Sequence, residues 1–125
     1  MMADFYLQFR TDSMTLKNLE THEEYTATGE FSSSRLIVGD FIVAQSLLIQ
    51  LIDAMKLNVR LPLTTHHRII VQALEKNEGG LSPVEVRLLE EITVSAFNHK
   101  VKKVVVSHDH LPMPQKQAEE LLDKK

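Results

Sequence analysis

An α/β fold with a mixed sheet is what this sequence predicts, and three observations lead to it. The first quarter alternates apolar and polar residues at strand period through three short runs. A long, very apolar helical stretch then separates them from two nearly continuous hydrophobic runs, Arg68 to Leu74 and Val101 to Ser107. Runs of that kind belong to strands covered on both faces. Between and after them lie segments with helical spacing and capping signals. At 125 residues, a single domain over residues 1–125 is the expected organisation, large enough for a real core.

Taken in order, Phe5, Leu7 and Phe9 alternate with Tyr6, Gln8 and Arg10, and Thr11-Asp12-Ser13 is turn chemistry. A second alternating run covers Met14 to Leu19, followed by a polar turn at Glu20 to Glu23. The third places Tyr25, Ala27, Gly29 and Phe31 on one face and Thr26, Thr28 and Glu30 on the other. Three short strands with tight connections make an antiparallel meander. Ser32 to Ser34 form a polar joint, and Gly39-Asp40 opens the long helix. Phe41, Ala44, Leu48, Leu51, Ile52 and Met55 recur at helical spacing, and Ile42, Val43, Leu47, Ile49 and Ala54 widen that face. So apolar a helix needs a sheet on one side and a second cover, from the terminal helix or a partner chain, on the other.

Leu57 to His67, with Pro62, is a connector, and Glu75 to Gly80 is a loop. The next helix is signalled most sharply. Ser82 is the expected N-cap, Pro83 suits the first helical position, and Glu85 completes a capping box. Leu81 and Val86 stand where a hydrophobic staple would, and Val84, Leu88, Ile92 and Ala96 are expected to face the sheet. Pro114 opens a final charged helix that runs through Leu121 and Leu122 and frays towards Lys125. The order β-β-β-α-β-α-β-α is the ribonuclease H-like topology, in which two strands join the meander in parallel through helical crossovers to give a mixed five-stranded sheet.

Composition narrows the function. The chain is 43% hydrophobic and 25% charged, with a net charge of −3, so it lacks the basic surface typical of nucleic-acid binders. Without cysteine there is no disulfide framework and no thiolate chemistry. MMADFYLQFR lacks the layout of a signal peptide, and Asp and Gln interrupt the long helix before it reaches the roughly 18 apolar residues of a membrane span. A cytoplasmic domain is the expectation.

Three segments carry a family resemblance. Val38 to Met55, VGDFIVAQSLLIQLIDAM, looks like a helix with an acidic-Phe-hydrophobic opening and a Leu-rich continuation. Arg68 to Val71 followed by Gly80-Leu81-Ser82-Pro83-Val84-Glu85 looks like a hydrophobic strand with a Gly-x-x-x-Val-Glu helix start. Val104 to Met113, VVVSHDHLPM, looks like a strand ending in an acidic-Pro-Met turn. Together they resemble the first subdomain (IA) of the bacterial actin homologue MreB, in the actin-like ATPase superfamily. The resemblance implies a bacterial cell-shape or cytoskeletal setting and assembly through surface contacts. It also implies a phosphate loop at the end of the first strand, but Gln8-Phe9-Arg10-Thr11 stands where that family has Asp-Leu-Gly-Thr. Gln8 brings no charge for Mg²⁺, and Arg10 adds bulk where bare backbone must approach phosphate. The inserted subdomain and the second half of the family's fold have no counterpart in this sequence. The expectation is therefore a degenerate, non-catalytic module without cofactor or ATP, acting through a protein partner or as a homo-oligomer.

The remaining chemistry is set against that expectation. Gln8, Thr11, Glu85 and Asp109 fall at positions that the resemblance assigns to nucleotide binding, as half of a split ATPase, although the capping box accounts for Glu85 without catalysis. A metal-dependent nuclease would need clustered carboxylates, for which Asp4, Glu75 and Asp109 are the available groups. His108 and His110 share a strand-end face, and His66-His67 lie elsewhere, but no spacing fixes a third ligand, so no metal is expected. Gly79-Gly80 reads as a turn. Ile42, Leu47 and Ile49 are the expected interaction residues, because the long helix has more apolar surface than one sheet can cover.

Overall fold

The alternation that starts near Phe5 places the first strand at the centre of the molecule. The computed structural model describes residues 2–33, 35–57, 66–76, 80–107, 109 and 111–124. β1 (Met2–Arg10), β2 (Ser13–Asn18) and β3 (Glu24–Thr28) form the antiparallel meander. β4 (His66–Ala73) and β5 (Val101–Ser107) lie parallel on the other side of β1. The sheet order is β3-β2-β1-β4-β5, a mixed, open, five-stranded sheet with β3 and β5 at its edges. Three helices accompany it among the described residues: α1 (Phe41–Ala54), α2 (Pro83–Ala96) and α3 (Gln115–Asp123).

The two faces of the sheet bury different sets. Phe5, Leu7 and Phe9 of β1, Met14 and Leu16 of β2, and Ile69, Val71 and Ala73 of β4 pack with Ala44, Leu47, Leu48, Leu51 and Ile52 of α1 and Leu89, Ile92 and Ala96 of α2. On the opposite face Tyr6 and Ile70 pack with Ala118 and Leu122 of α3 and with Met113. Covered on both sides, β4 is buried at Ile69, Ile70 and Val71, as its unbroken hydrophobic run predicts.

Local chemistry sets the helix starts. The Asp40 side chain accepts the Val43 N–H at 3.1 Å, and its backbone is extended, so it caps α1. Ser82 Oγ accepts the Glu85 N–H at 3.2 Å while Glu85 Oε1 accepts the Ser82 N–H at 3.3 Å, the full capping box. The end of α3 is closed by side chains from the sheet. Arg68 and Lys103 both donate to the Leu122 carbonyl, at 3.2 and 3.0 Å, and Lys103 also donates to the Lys124 carbonyl. Cations suit the negative end of a helix dipole.

Several expectations are corrected. The terminal helix does not cover α1: α3 lies across the sheet from it, and α1 packs against β2, β3 and α2. Val84 does not face the sheet; at 77% exposure it stands clear on the first turn of α2, and Leu89 and Thr93 join Ile92 and Ala96 in the buried stripe. Val104, Val105 and Val106 are half-buried, because β5 is an edge strand. β3 ends at Thr28, so Gly29 and Phe31 lie beyond it; Phe31 is buried edge-on against Phe9 with ring centres 5.9 Å apart. β4 begins at His66, inside the expected connector. Pro62 and the rest of that connector beyond Leu57, with Ser34, Gly79, His108, His110 and Lys125, lie outside the described residues.

Candidate functional site

Parallel pairing brings the C-terminal ends of β1, β4 and β5 to one end of the sheet, where Phe9 pairs with Ala73 and Gln72 with Ser107. Gln8, Thr11 and Asp109 are all at that end, and Glu85 follows β4 there at the start of α2. Their hydrogen bonds, however, divide them. Gln8 Oε1 accepts from Arg10 Nη1 at 3.1 Å. The Thr11 N–H donates to Glu75 Oε1 at 2.6 Å, and this backbone donor holds the exposed Glu75 carboxyl below its ordinary range. Glu85 is engaged in its capping box, and Asp109 Oδ2 accepts from Gln117 Nε2 at 3.3 Å. No bond joins any of the four to another among the described residues. Nor, among the described residues, do three His, Asp or Glu side chains gather there into a metal-binding group.

What fills the α3 side of this end is a buried polar knot with no charge in it. Gln72 is fully buried beneath the segment that leaves β5. Its amide nitrogen donates to the Asp109 carbonyl at 2.8 Å and the Leu111 carbonyl at 2.7 Å, and its oxygen accepts from the Tyr6 hydroxyl. The same hydroxyl accepts the Met113 N–H at 3.2 Å. Both side-chain polar atoms of Gln72 are thus committed to holding Asp109, Leu111 and, through Tyr6, Met113 against β1 and β4. A glutamine inside the run RIIVQAL was the available signal for this knot, but its partners lie more than thirty residues away in the chain.

A second polar assembly ties α3 to the other end of the sheet. Arg68 meets the Asp4 carboxylate with both Nε and Nη2, at 2.8 and 2.7 Å, and Asp123 with Nη1 at 2.8 Å. Hydrogen bonding to Asp4 and then Asp123 raises the guanidinium pKa, more than offsetting its partial burial. On the α1 and α2 face, the His67 ring packs between Phe5 and Phe97, with ring centres 5.4 and 5.1 Å away. Its Nδ1 is buried without a hydrogen-bond partner among the described residues. Burial, followed by the charges of Lys100 and His66, lowers its pKa to about 4.

The expected interaction residues on α1 separate by burial. Ile42 is 71% and Ile49 41% exposed, whereas Leu47 is only 6% exposed and belongs to the core, so its expected place on a contact surface is corrected. Leu47 turns inward against Gly29, where an added Cβ would come within 2.9 Å of its Cδ1. Gln45, which bonds Ser95 of α2, lies roughly 60° around the helix from Ile42 and roughly 40° from Ile49. Both isoleucines therefore lie beyond Gln45 on the outward surface of α1. Between α1 and α2, Phe41, Arg87, Glu90, Glu91, Val94, Ser95 and His99 line an open groove of about 470 Å³.

Fold and sites together describe an α/β protein with a mixed open sheet, helices on both faces, and polar side chains spent on holding its segments together. No helix among the described residues is long and apolar enough to cross a membrane. No family model matches the chain. It is 37% identical over 110 residues to the uncharacterized protein YjaA of Escherichia coli (strain K12), a match spanning 82% of this chain and 83% of that protein. The chain belongs to the YjaA family.

Proposed function

We propose that this protein is a non-catalytic module of ribonuclease H-like architecture, similar to the first subdomain of MreB-type actins, that works by contacting a protein partner or a further copy of itself. A cytoplasmic, bacterial cell-shape or cytoskeletal role is part of that reading. The sheet order β3-β2-β1-β4-β5, with β2 alone antiparallel to its neighbours, is compatible with the proposed architecture. The reading without catalysis is supported by the division of Gln8, Thr11, Glu85 and Asp109 among separate structural bonds.

One observation carries the proposal: Ile42 and Ile49 present apolar surface on the outer side of α1. Burying an isoleucine side chain in an interface is worth about 1.5–3 kcal/mol, so two of them matter to association. Both are exposed, so Ile42→Glu and Ile49→Glu are expected to leave the fold intact. Sedimentation over a concentration series, alone and with a candidate partner, is expected to show association that the two variants weaken at least about tenfold. Calorimetry with ATP and Mg²⁺ supplies the contrary outcome. Binding near the micromolar range that disappears in Thr11→Val or Glu85→Ala would replace this reading with a split ATPase completed by another chain.

A further inference from the structure

The two edges of the sheet differ in charge. β3 carries Glu24, with Glu23 just before it and Glu20 and Glu30 in the flanking turns. Lys17 stands across from Glu24 on β2 and offsets part of that charge. β5 carries Lys102 and Lys103, with Lys100 just before it. Neither edge strand contains proline, the residue that blocks pairing most directly. Among the described residues, no further strand pairs beyond either edge.

The pairings also fix direction and facing. β2 runs antiparallel to both β1 and β3, so β3 runs parallel to β1 and hence to β4 and β5. A β3 laid on the outer edge of another copy's β5 in the same orientation therefore extends the sheet in parallel. Residues opposed across neighbouring strands share a face. Through the registers of the sheet, Glu24, Thr26 and Thr28 share the α3 face with Lys103, Val105 and Ser107. Tyr25 and Ala27 share the α1 and α2 face with Val104 and Val106.

We infer that a second copy of this chain docks its β3 edge on the β5 edge in parallel register, with Glu24 beside Lys103, Tyr25 beside Val104, Thr26 beside Val105, Ala27 beside Val106 and Thr28 beside Ser107. All five pairs agree in face, and the one charged pair is of opposite sign, the Lys103 ammonium being shared between Glu24 and the carbonyls at the end of α3 to which it already donates. Because two different edges meet, the contact is head-to-tail and leaves a free β3 and a free β5 for further copies. This rests on the self-association half of the proposed function but uses a different surface from the outer side of α1, so each can fail alone.

The chain has no cysteine, which makes disulfide trapping clean. Neighbouring strands lie about 4.8 Å apart, within reach of a disulfide. The double variant Thr26→Cys/Val105→Cys, oxidised under mild conditions, is expected to form a ladder extending beyond dimers that collapses on reduction. Each single variant is expected to yield little cross-linked dimer. Val105→Cys alone giving dimer as readily as the double variant would mean that β5 pairs with β5, and would overturn the inference. In parallel, Glu24→Lys is expected to weaken self-association about tenfold at low salt and to lose that effect at roughly 0.5 M NaCl. Loss of association in Ile42→Glu and Ile49→Glu but not in the edge variants would overturn this inference and leave the proposed function standing. A chain that stays monomeric up to roughly 1 mM would overturn this inference and the self-association half of that function.

Discussion

Acid should weaken this fold through His67, and the size of the effect follows from its surroundings. The imidazole is wedged between Phe5 and Phe97, its Nδ1 has no partner among the described residues, and Lys100 and His66 are the charged and titratable groups that oppose a positive charge there. Protonation would turn Nδ1 into a buried donor with nothing among the described residues to receive its hydrogen. The folded pKa of about 4 lies below the 6.5 of a free histidine, so the unfolded chain binds the proton first as pH falls. The His67 contribution to stability is complete above pH 6.5, declines at about 1.4 kcal/mol per pH unit through the window down to about pH 4, and is gone below it. The interval amounts to about 3 kcal/mol, a large share of the stability of a small domain. Urea unfolding followed by far-ultraviolet circular dichroism at a series of pH values gives the slope, and His67→Leu isolates the residue from the other histidines. The variant's stability should fall less steeply between pH 6.5 and 4 than that of the native chain. Equal slopes for the two proteins would refute the reasoning.

The polar knot and the caps give further expectations. Gln72→Leu leaves the Asp109 and Leu111 carbonyls and the Tyr6 hydroxyl without their partner, and should cost about 2–4 kcal/mol in urea unfolding; Tyr6→Phe should cost about 1–2 kcal/mol. Arg68→Met releases Asp4 and Asp123 and leaves the Leu122 carbonyl to Lys103 alone. It should speed amide exchange in α3 and lower the urea midpoint, while α1 and α2 keep their protection until global unfolding. Asp40→Ala and Ser82→Ala each remove one N-cap and should cost about 1 kcal/mol; additive losses in the double variant would mark the two caps as independent.

How far the sequence could be read depended on the range of the interactions involved. The strand alternation of Phe5, Leu7 and Phe9, the cap at Asp40 and the capping box at Ser82 and Glu85 are products of neighbours within a turn or two, and they appear in the structure where the residues place them. Leu47 shows the limit of that reading. Taken as one wide apolar surface the helix groups it with Ile42 and Ile49, but helical geometry turns it roughly 140–160° away from both, towards Gly29 and the core. The candidate site was legible as a set of residue types, yet the bonds that occupy Thr11 and Asp109 come from Glu75 and Gln117, which periodicity does not connect to them.

The sequence by itself determined the elements, their order and the burial of β4 on both faces, because periodicity and capping are local and the hydrophobic pattern names its own inside. Only the tertiary structure decided that α3 crosses to the face opposite α1, that β5 is an edge and its valines half-wet, that Gln72 pins Asp109 and Leu111, and that His67 is shut in without a partner among the described residues. Each of these depends on which distant segment arrives to cover a side chain or satisfy a buried polar atom. That is settled by packing the whole chain at once, since desolvation is felt only where the cover closes.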